Sequence, residues 1–478
     1  MKNSFRLLVG AFALAVTAHA QTAKTDVVKK IDASKKIYED IALKIWNYAE
    51  VGYQETQSSG LLQAQLKSEG FTVKAGVAGM PTAFTAEYGS GHPIVGILGE
   101  FDALPGVSQE AVPERKVRAG ATAGHACGHH LFGTASIEGA VAVKDWMKAS
   151  GQKGTVRFYG TPAEEGGGGK VYMVRAGLFA DVDAVVTWHA GDRNMVRETS
   201  SLANTSAKFR FHGTTSHASA APERGRSALK AVEAMDYMVN MMREHVPETT
   251  RIHYVITHGG EAPNVVPEFA EVFYYVRSPS RVIDAEVFAR VVKCAEGAAL
   301  GTDTKLDYEI NHGVYETLGN ETLCRVVQAN LETVGGVPYT PEEKTFAEKI
   351  GHTLYGKPPA PEIAALVEPF DPHPLGAGGA STDVGDVSWN VPTVGFTAAT
   401  WVPGTPAHSW QAVAAGGMSI GLKGMVVAAK TIALSAIDLF TQPDLIAKAK
   451  TEFEEKRGPG FKYVPLLGDR KPPLDYRN

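Results

Sequence analysis

Short apolar runs separated by helical stretches restrict most of what this chain can fold into. Pro93–Phe101, Thr155–Thr161, Ala184–Trp188 and Thr393–Thr400 read as strands. Asp32–Val51, Gln57–Lys67, Gly133–Met147 and Val413–Leu439 carry apolar residues at helical spacing. Strands interleaved with helices predict an α/β domain around a mostly parallel sheet. The middle of the chain departs from that alternation. Ala207–His212, Arg251–His258, Glu271–Val276 and Lys305–Asn311 read as strands, with helices over Arg226–His245 and Asp284–Ala299. That β-α-β-β-α-β order is the ferredoxin-like split unit. It is expected as an insertion, residues 204–317, between two halves of the α/β domain, residues 24–203 and 318–445. Met235, Met238, Met241 and Met242 on its first helix read as packing.

The ends carry different signals. Lys2 and Arg6 precede an apolar stretch over Leu7–Val16, and Ala18-His19-Ala20 is a small-x-small pattern. Residues 1–20 are therefore expected to be a secretory signal peptide, cleaved before Gln21, with export to a bacterial periplasm. The run is shorter than the roughly 20 residues a membrane span needs, and no other stretch reads as a span. Residues 446–478 are expected to be a tail, extended on the surface from Arg457 onward. Lys and Arg total 47 against 52 Asp and Glu, so no basic excess points to nucleic acid. Three cysteines cannot build a disulfide framework.

Each candidate strand of the α/β domain runs into unusual polar residues. Pro93–Phe101 ends at Asp102, with Glu100 just before it. Thr155–Thr161 leads to Glu164-Glu165, Ala184–Trp188 to His189, and Thr393–Thr400 to a loop bearing His408. Gly124-His125-Ala126-Cys127-Gly128-His129-His130 opens a helix. In open parallel sheets the ligand site lies beyond the carboxyl ends of the strands, so these residues should converge. Thiolate, imidazole and carboxylate are ligands of Zn²⁺ and related ions. Neighbouring acids at a strand end point to opposite sides. One of the Glu164-Glu165 pair can thus ligate while the other stays free to move a proton.

In order along the chain, His-x-Cys-Gly-His, Pro-x-Glu-Glu-Gly, Trp-His and a late Ala-His-Ser resemble the M20 family of metallopeptidases and amidohydrolases. The likeness is strongest to its branch of aminobenzoyl-glutamate hydrolase B subunits, related to hippurate and auxin-conjugate hydrolases, and it covers nearly the whole chain beyond residue 20. Ser381-Thr382-Asp383-Val384-Gly385-Asp386-Val387-Ser388-Trp389 and the segment ending at Trp410 favour the aminobenzoyl-glutamate side.

The resemblance implies two divalent ions, Zn or Mn, on Cys127, His129, Glu165, His189 and His408, with Glu164 as general base and acid. It implies that His217, in Gly213-Thr214-Thr215-Ser216-His217-Ala218, steadies the oxyanion in a partner subunit of a homodimer formed through the lid. Asn264 matches a position near the substrate. Asp102 matches a residue that supports a ligand. Two departures stand out. Glu100 occupies a position where relatives often carry a ligand His, and His130, at a position expected to support a ligand, replaces the usual Asp or Asn.

Two ions bring +4 against −2 from Cys127 and Glu165, which favours an anionic substrate such as an N-acyl amino acid. The expected activity is hydrolysis of N-acyl or N-aroyl amino acids. A dipeptidase or carboxypeptidase with the same machinery, or a non-catalytic metal- or solute-binding protein, is the alternative. No Gly-x-Ser-x-Gly elbow supports a serine hydrolase.

Overall fold

The apolar runs pair into two sheets, each with its own core. The structure, a computed structural model, describes residues 2–196, 198, 200–372 and 379–477, with side chains from Lys24 onward. Strands β1 (Thr72–Ala75), β2 (Phe84–Ser90), β3 (Ile94–Gly99), β4 (Gly154–Gly160), β5 (Ala184–Gly191) and β6 (Met195–Val196) precede an inserted unit. That unit holds β7 (Ala203–His212), β8 (Arg251–His258), β9 (Phe269–Ser278) and β10 (Lys305–Val314), and β11 (Thr393–Ala399) follows it. The larger sheet has the order β1-β2-β4-β3-β5-β11-β6. Its central strands β4, β3, β5 and β11 pair in parallel, and antiparallel strands close both edges.

The sheet is therefore mixed, with a parallel centre. β1 and β2 were not legible as strands. β1 is four residues long and mostly exposed, so it lacks an apolar period. β3 is buried along its whole length, as expected of a strand covered on both faces.

Helices α1 (Lys2–Tyr48), α2 (Thr56–Ser68), α3 (His129–Ser150) and α4 (Gly169–Arg175) lie in the first half of the α/β domain. α1 is continuous through the expected leader sequence. In the inserted unit, α5 (Ala228–Met242) and α6 (Arg281–Thr302) cover one face of the antiparallel sheet β8-β9-β7-β10. This is the β-α-β-β-α-β order read from the sequence. Met235 and Met242 are buried in its core, while Met241 is exposed.

The second half supplies α7 (Glu321–Val334), α8 (Ser419–Thr441) and α9 (Pro443–Arg457). The stretch read as one helix over Val413–Leu439 is two, because Trp410–Gly416 ends before α8 begins. Gly417 sits at the break, where a Cβ would lie 2.6 Å from the Trp46 ring. α8 is long and apolar enough to cross a membrane, contrary to the sequence reading. Of its most apolar 18-residue stretch 78% is buried, and the helix packs on α3, α1 and α7, which is the behaviour of a core helix.

The expected tail differs too. α9 begins with Pro443 at its first turn and buries Ile446, Ala449 and Phe453 along one face. Beyond it, residues 458–477 form no helix or strand but a chain with several turns, and they are not merely superficial, since Leu467 is 3% exposed.

Candidate metal centre and active site

The carboxyl ends of the parallel strands bring the chemistry together. β3 leads to Glu100 and Asp102, β4 to Glu164 and Glu165, β5 contains His189, and the loop after β11 carries His408. Cys127 and His129 flank Gly128, the residue before α3. Gly128 has φ +74, and a Cβ there would stand 2.4 Å from that of Ala190. Only glycine fits a left-handed turn this close to β5. Ala163 and His408 also adopt left-handed backbone, φ +56 and +60, which side chains rarely tolerate. Such strain gathers at functional sites where packing enforces it.

Among the described residues, Cys127, His129 and His189 place one potential ligand atom each within 4.8 Å of the others, and so do Cys127, Glu165 and His408. The two groups share Cys127. A third consists of Glu100, His129 and Glu164. The imidazoles are oriented from behind. His129 Nδ1 donates to Asp102 Oδ1 at 2.9 Å, which turns Nε2 toward the cluster. His189 Nδ1 donates to the Ala190 carbonyl at 2.7 Å, and its Nε2 lies 3.4 Å from Cys127 Sγ. His408 Nε2 stands 3.3 Å from Glu165 Oε1 at the exposed rim.

The donor set fits divalent ions on two counts. It combines thiol, imidazole and carboxylate. His129 Nε2 and Glu165 Oε1 are also buried with no well-aligned hydrogen bond, their polar neighbours being other members of the candidate groups, Glu100 Oε2 at 3.0 Å and His408 Nε2 at 3.3 Å. Burial and the nearby Glu165 push the Cys127 thiol up in the metal-free protein, so an ion would have to displace its proton.

The Ala163–Glu165 turn is clamped from beneath. Asp102 Oδ2 accepts from Glu165 N at 2.9 Å, and Glu55 Oε1 accepts from Ala163 N at 2.8 Å. Burial, with Asp102 nearby, pushes the Glu55 carboxyl up to about 8. Glu164 is raised well above the ordinary carboxyl range by burial first, then by Glu100, Glu165 and Asp383. An acid held in this way is suited to taking and returning a proton.

Sequence reasoning missed the support of Glu100. Lys170 is fully buried on α4, with Nζ 2.5 Å from Glu100 Oε1 and 2.6 Å from Asp383 Oδ1. Glu100 Oε2 in turn lies 3.0 Å from His129 Nε2. The only signal was a lysine four residues past the Glu-Glu-Gly turn, which gives no hint of burial.

His130 was expected to support a ligand. Its Nε2 instead donates to the Gly416 carbonyl at 3.0 Å, and its ring lies 4.9 Å from that of His125. Burial pushes it down to about 3, so it is neutral there. It forms no hydrogen bond to a candidate ligand.

A cavity of about 770 Å³ opens over the cluster, lined by Cys127, Glu164, Glu165, His189 and His408. The inserted unit contributes Asn204, Tyr275, Arg277 and His312. Arg277 and Tyr275 lie on the open face of β9, since alternate residues bury the other face against α5 and α6. The sequence reading ended that strand at Val276, one residue short of Arg277. His217 and Asn264 are not in this crevice. They adjoin each other on two exposed lid loops, where Ala218 N donates to the Asn264 carbonyl at 3.0 Å.

Relatives of this chain, an α/β domain with its donors at the strand ends interrupted by a four-stranded lid, are hydrolases of amide bonds. A model of the M20 peptidase dimerisation domain matches residues 203–303, and the chain belongs to the M20 family of metallopeptidases and amidohydrolases. It is 41% identical over 450 residues to the B subunit of the Escherichia coli K12 p-aminobenzoyl-glutamate hydrolase, covering 89% of this chain and 93% of that one. It is 28% identical over 454 residues to the mouse Xaa-Arg dipeptidase, covering 92% and 94%. The fold matches a Bacillus subtilis dinuclear metal-binding peptidase of the M20 family with TM-score 0.57 at 16% identity, covering 86% and 99%.

Proposed function

We propose that this chain is a metal-dependent amidohydrolase that cleaves N-acyl or N-aroyl amino acids, with aminobenzoyl-glutamate as the type of substrate. One observation carries the reading. Two three-residue donor groups share Cys127, and Glu164 stands beside them, outside both. Two ions, Zn or Mn, would be held by Cys127, His129 and His189 and by Cys127, Glu165 and His408. When bound, they supply Lewis acidity toward a carbonyl oxygen and make water acidic near neutral pH. Glu164 takes the proton from the attacking water and returns it to the leaving amine. Asp102 keeps His129 in the tautomer that presents Nε2. Arg277 supplies a cation on the lid side of the crevice for a substrate carboxylate.

The exposed His217 loop is proposed to complete the site of a second copy in a homodimer through the lid. Residues 1–20 are proposed to direct export to the periplasm. A mature chain beginning at Gln21 supports that export, and an uncut chain overturns it. Glu164→Gln tests the mechanism. It should keep its metal content, measured by elemental analysis, and lose at least about 100-fold in aminobenzoate release. Near-normal turnover overturns the role of Glu164. A wild-type protein that cleaves dipeptides but not aminobenzoyl-glutamate overturns the substrate class in favour of a dipeptidase, which the likeness to the Xaa-Arg dipeptidase supports.

A further inference from the structure

The segment after α9 does not end on an inert surface. Phe461 packs 5.2 Å from the Trp389 ring, Tyr463 Oη donates to Asp386 Oδ1 at 2.6 Å, and Val464 O accepts from Tyr315 Oη at 2.6 Å. Arg175 then holds the Gly468 and Arg470 carbonyls, and Arg470 reaches Glu309 on lid strand β10. The chain next turns back over the catalytic turn. The Tyr476 ring meets Tyr53 edge-on at 5.6 Å, and its hydroxyl donates to the Glu165 carbonyl at 3.2 Å. Gly52 makes room for it, since a Cβ there would lie 2.2 Å from Tyr476 Oη.

This path delivers Arg477 to the crevice. Its Nη2 donates to the same Glu165 carbonyl, and the residue lines the cavity that contains Glu164, Glu165 and His408. Its Nε is buried with no hydrogen-bond partner. One edge of the guanidinium is thus fixed to the protein while a donor stays unsatisfied within a cavity wall. A second guanidinium, Arg277, lines the same cavity from the lid. A single α-carboxylate needs only one of them.

Resting on the amidohydrolase reading above, we propose that Arg477 is a specificity residue that binds a second carboxylate of the substrate. The enzyme then selects conjugates of dicarboxylic amino acids over those with neutral side chains. Arginine suits the task because its planar fork binds carboxylates in two-point fashion while a remaining N–H keeps the protein contact.

The test compares aminobenzoyl-glutamate with aminobenzoyl-glutamine in wild type, Arg477→Ala and Arg477→Lys. Wild type should favour the glutamate conjugate. In Arg477→Ala, kcat/KM for the glutamate conjugate should fall about 10- to 100-fold further than for the glutamine conjugate, mainly through KM, any loss common to both coming from the lost contact to the Glu165 carbonyl. Arg477→Lys should keep part of the preference. Equal losses on both conjugates would mean that the segment only braces the Glu165 turn, and unchanged kinetics would mean that Arg477 does not touch substrate. Either result overturns the proposal.

If wild type hydrolyses neither conjugate, the amidohydrolase reading fails, and binding decides the question for Arg477 separately. Calorimetry on metal-loaded Glu164→Gln protein should then show benzoyl-glutamate binding more tightly than benzoyl-glutamine. Adding Arg477→Ala should erase that difference, and its persistence overturns the proposal.

Discussion

Replacing Lys170 with methionine isolates the buried charges behind the candidate metal centre. Lys170, Glu100 and Asp383 are each at most 1% exposed, and the ammonium contacts both carboxylates at 2.5 and 2.6 Å. Methionine nearly fills the volume but leaves two interior carboxylates without their shared cation. Breaking a buried pair in this way typically costs about 3–5 kcal/mol, because the stranded charges lose their compensation. Asp383 keeps the Lys170 backbone N–H at 2.8 Å and Glu100 keeps His129, which places the expected loss near the lower end. All six tryptophans lie outside residues 204–317, so fluorescence reports mainly on the α/β domain. Urea unfolding of chelated protein, followed by tryptophan emission, should show a loss of about 3 kcal/mol for Lys170→Met. The triple variant Lys170→Met, Glu100→Gln, Asp383→Asn should recover much of that loss, since the uncompensated charges are gone. A Lys170→Met protein within 1 kcal/mol of wild type, by the ~3 kcal/mol expectation, would refute the reasoning. So would a triple variant no better than the single.

Two further outcomes are expected. Gly128→Ala forces a side chain into left-handed backbone and into Ala190, a combined cost of about 2–4 kcal/mol. It should lower both thermal stability and metal content, Gly128→Ala with Ala190→Gly should recover part of each, and unchanged melting would count against the turn geometry. In the lid, burial raises Asp236 to about 6, and Tyr274 Oη donates to it. The folded state therefore holds a proton that the unfolded state gives up near pH 4, so this site favours folding most at or below pH 4 and loses that contribution as pH rises to 6. Asp236→Asn keeps an acceptor for Tyr274 and removes the charge. Hydrogen exchange of β7–β10 amides should show the variant stabilised by about 1–2 kcal/mol at pH 8 and not at pH 4, allowing for partial solvation. An equal effect at both pH values would show that titration is not involved.

The sequence by itself determined the alternating α/β framework, the inserted β-α-β-β-α-β unit and the residue types at the strand ends. Periodicity and local turn chemistry are properties of neighbouring residues, so they survive in a linear reading. The candidate donors were legible for the same reason: Cys127, Glu165, His189 and His408 each follow or begin a recognisable element. Only the tertiary structure decided which side chains share a space. Lys170 looked like any helix lysine until packing buried it between Glu100 and Asp383, which lie 70 residues before it and 213 after it. His130, next to a candidate ligand in sequence, points to Gly416 because successive positions on a helix face different directions. Arg477 reaches Glu165 across 312 positions, held by aromatic and hydrogen-bond anchors that no local pattern encodes. A segment rich in Pro, Gly and charge has no period to read. Its place in the crevice follows from the surfaces that two domains offer it.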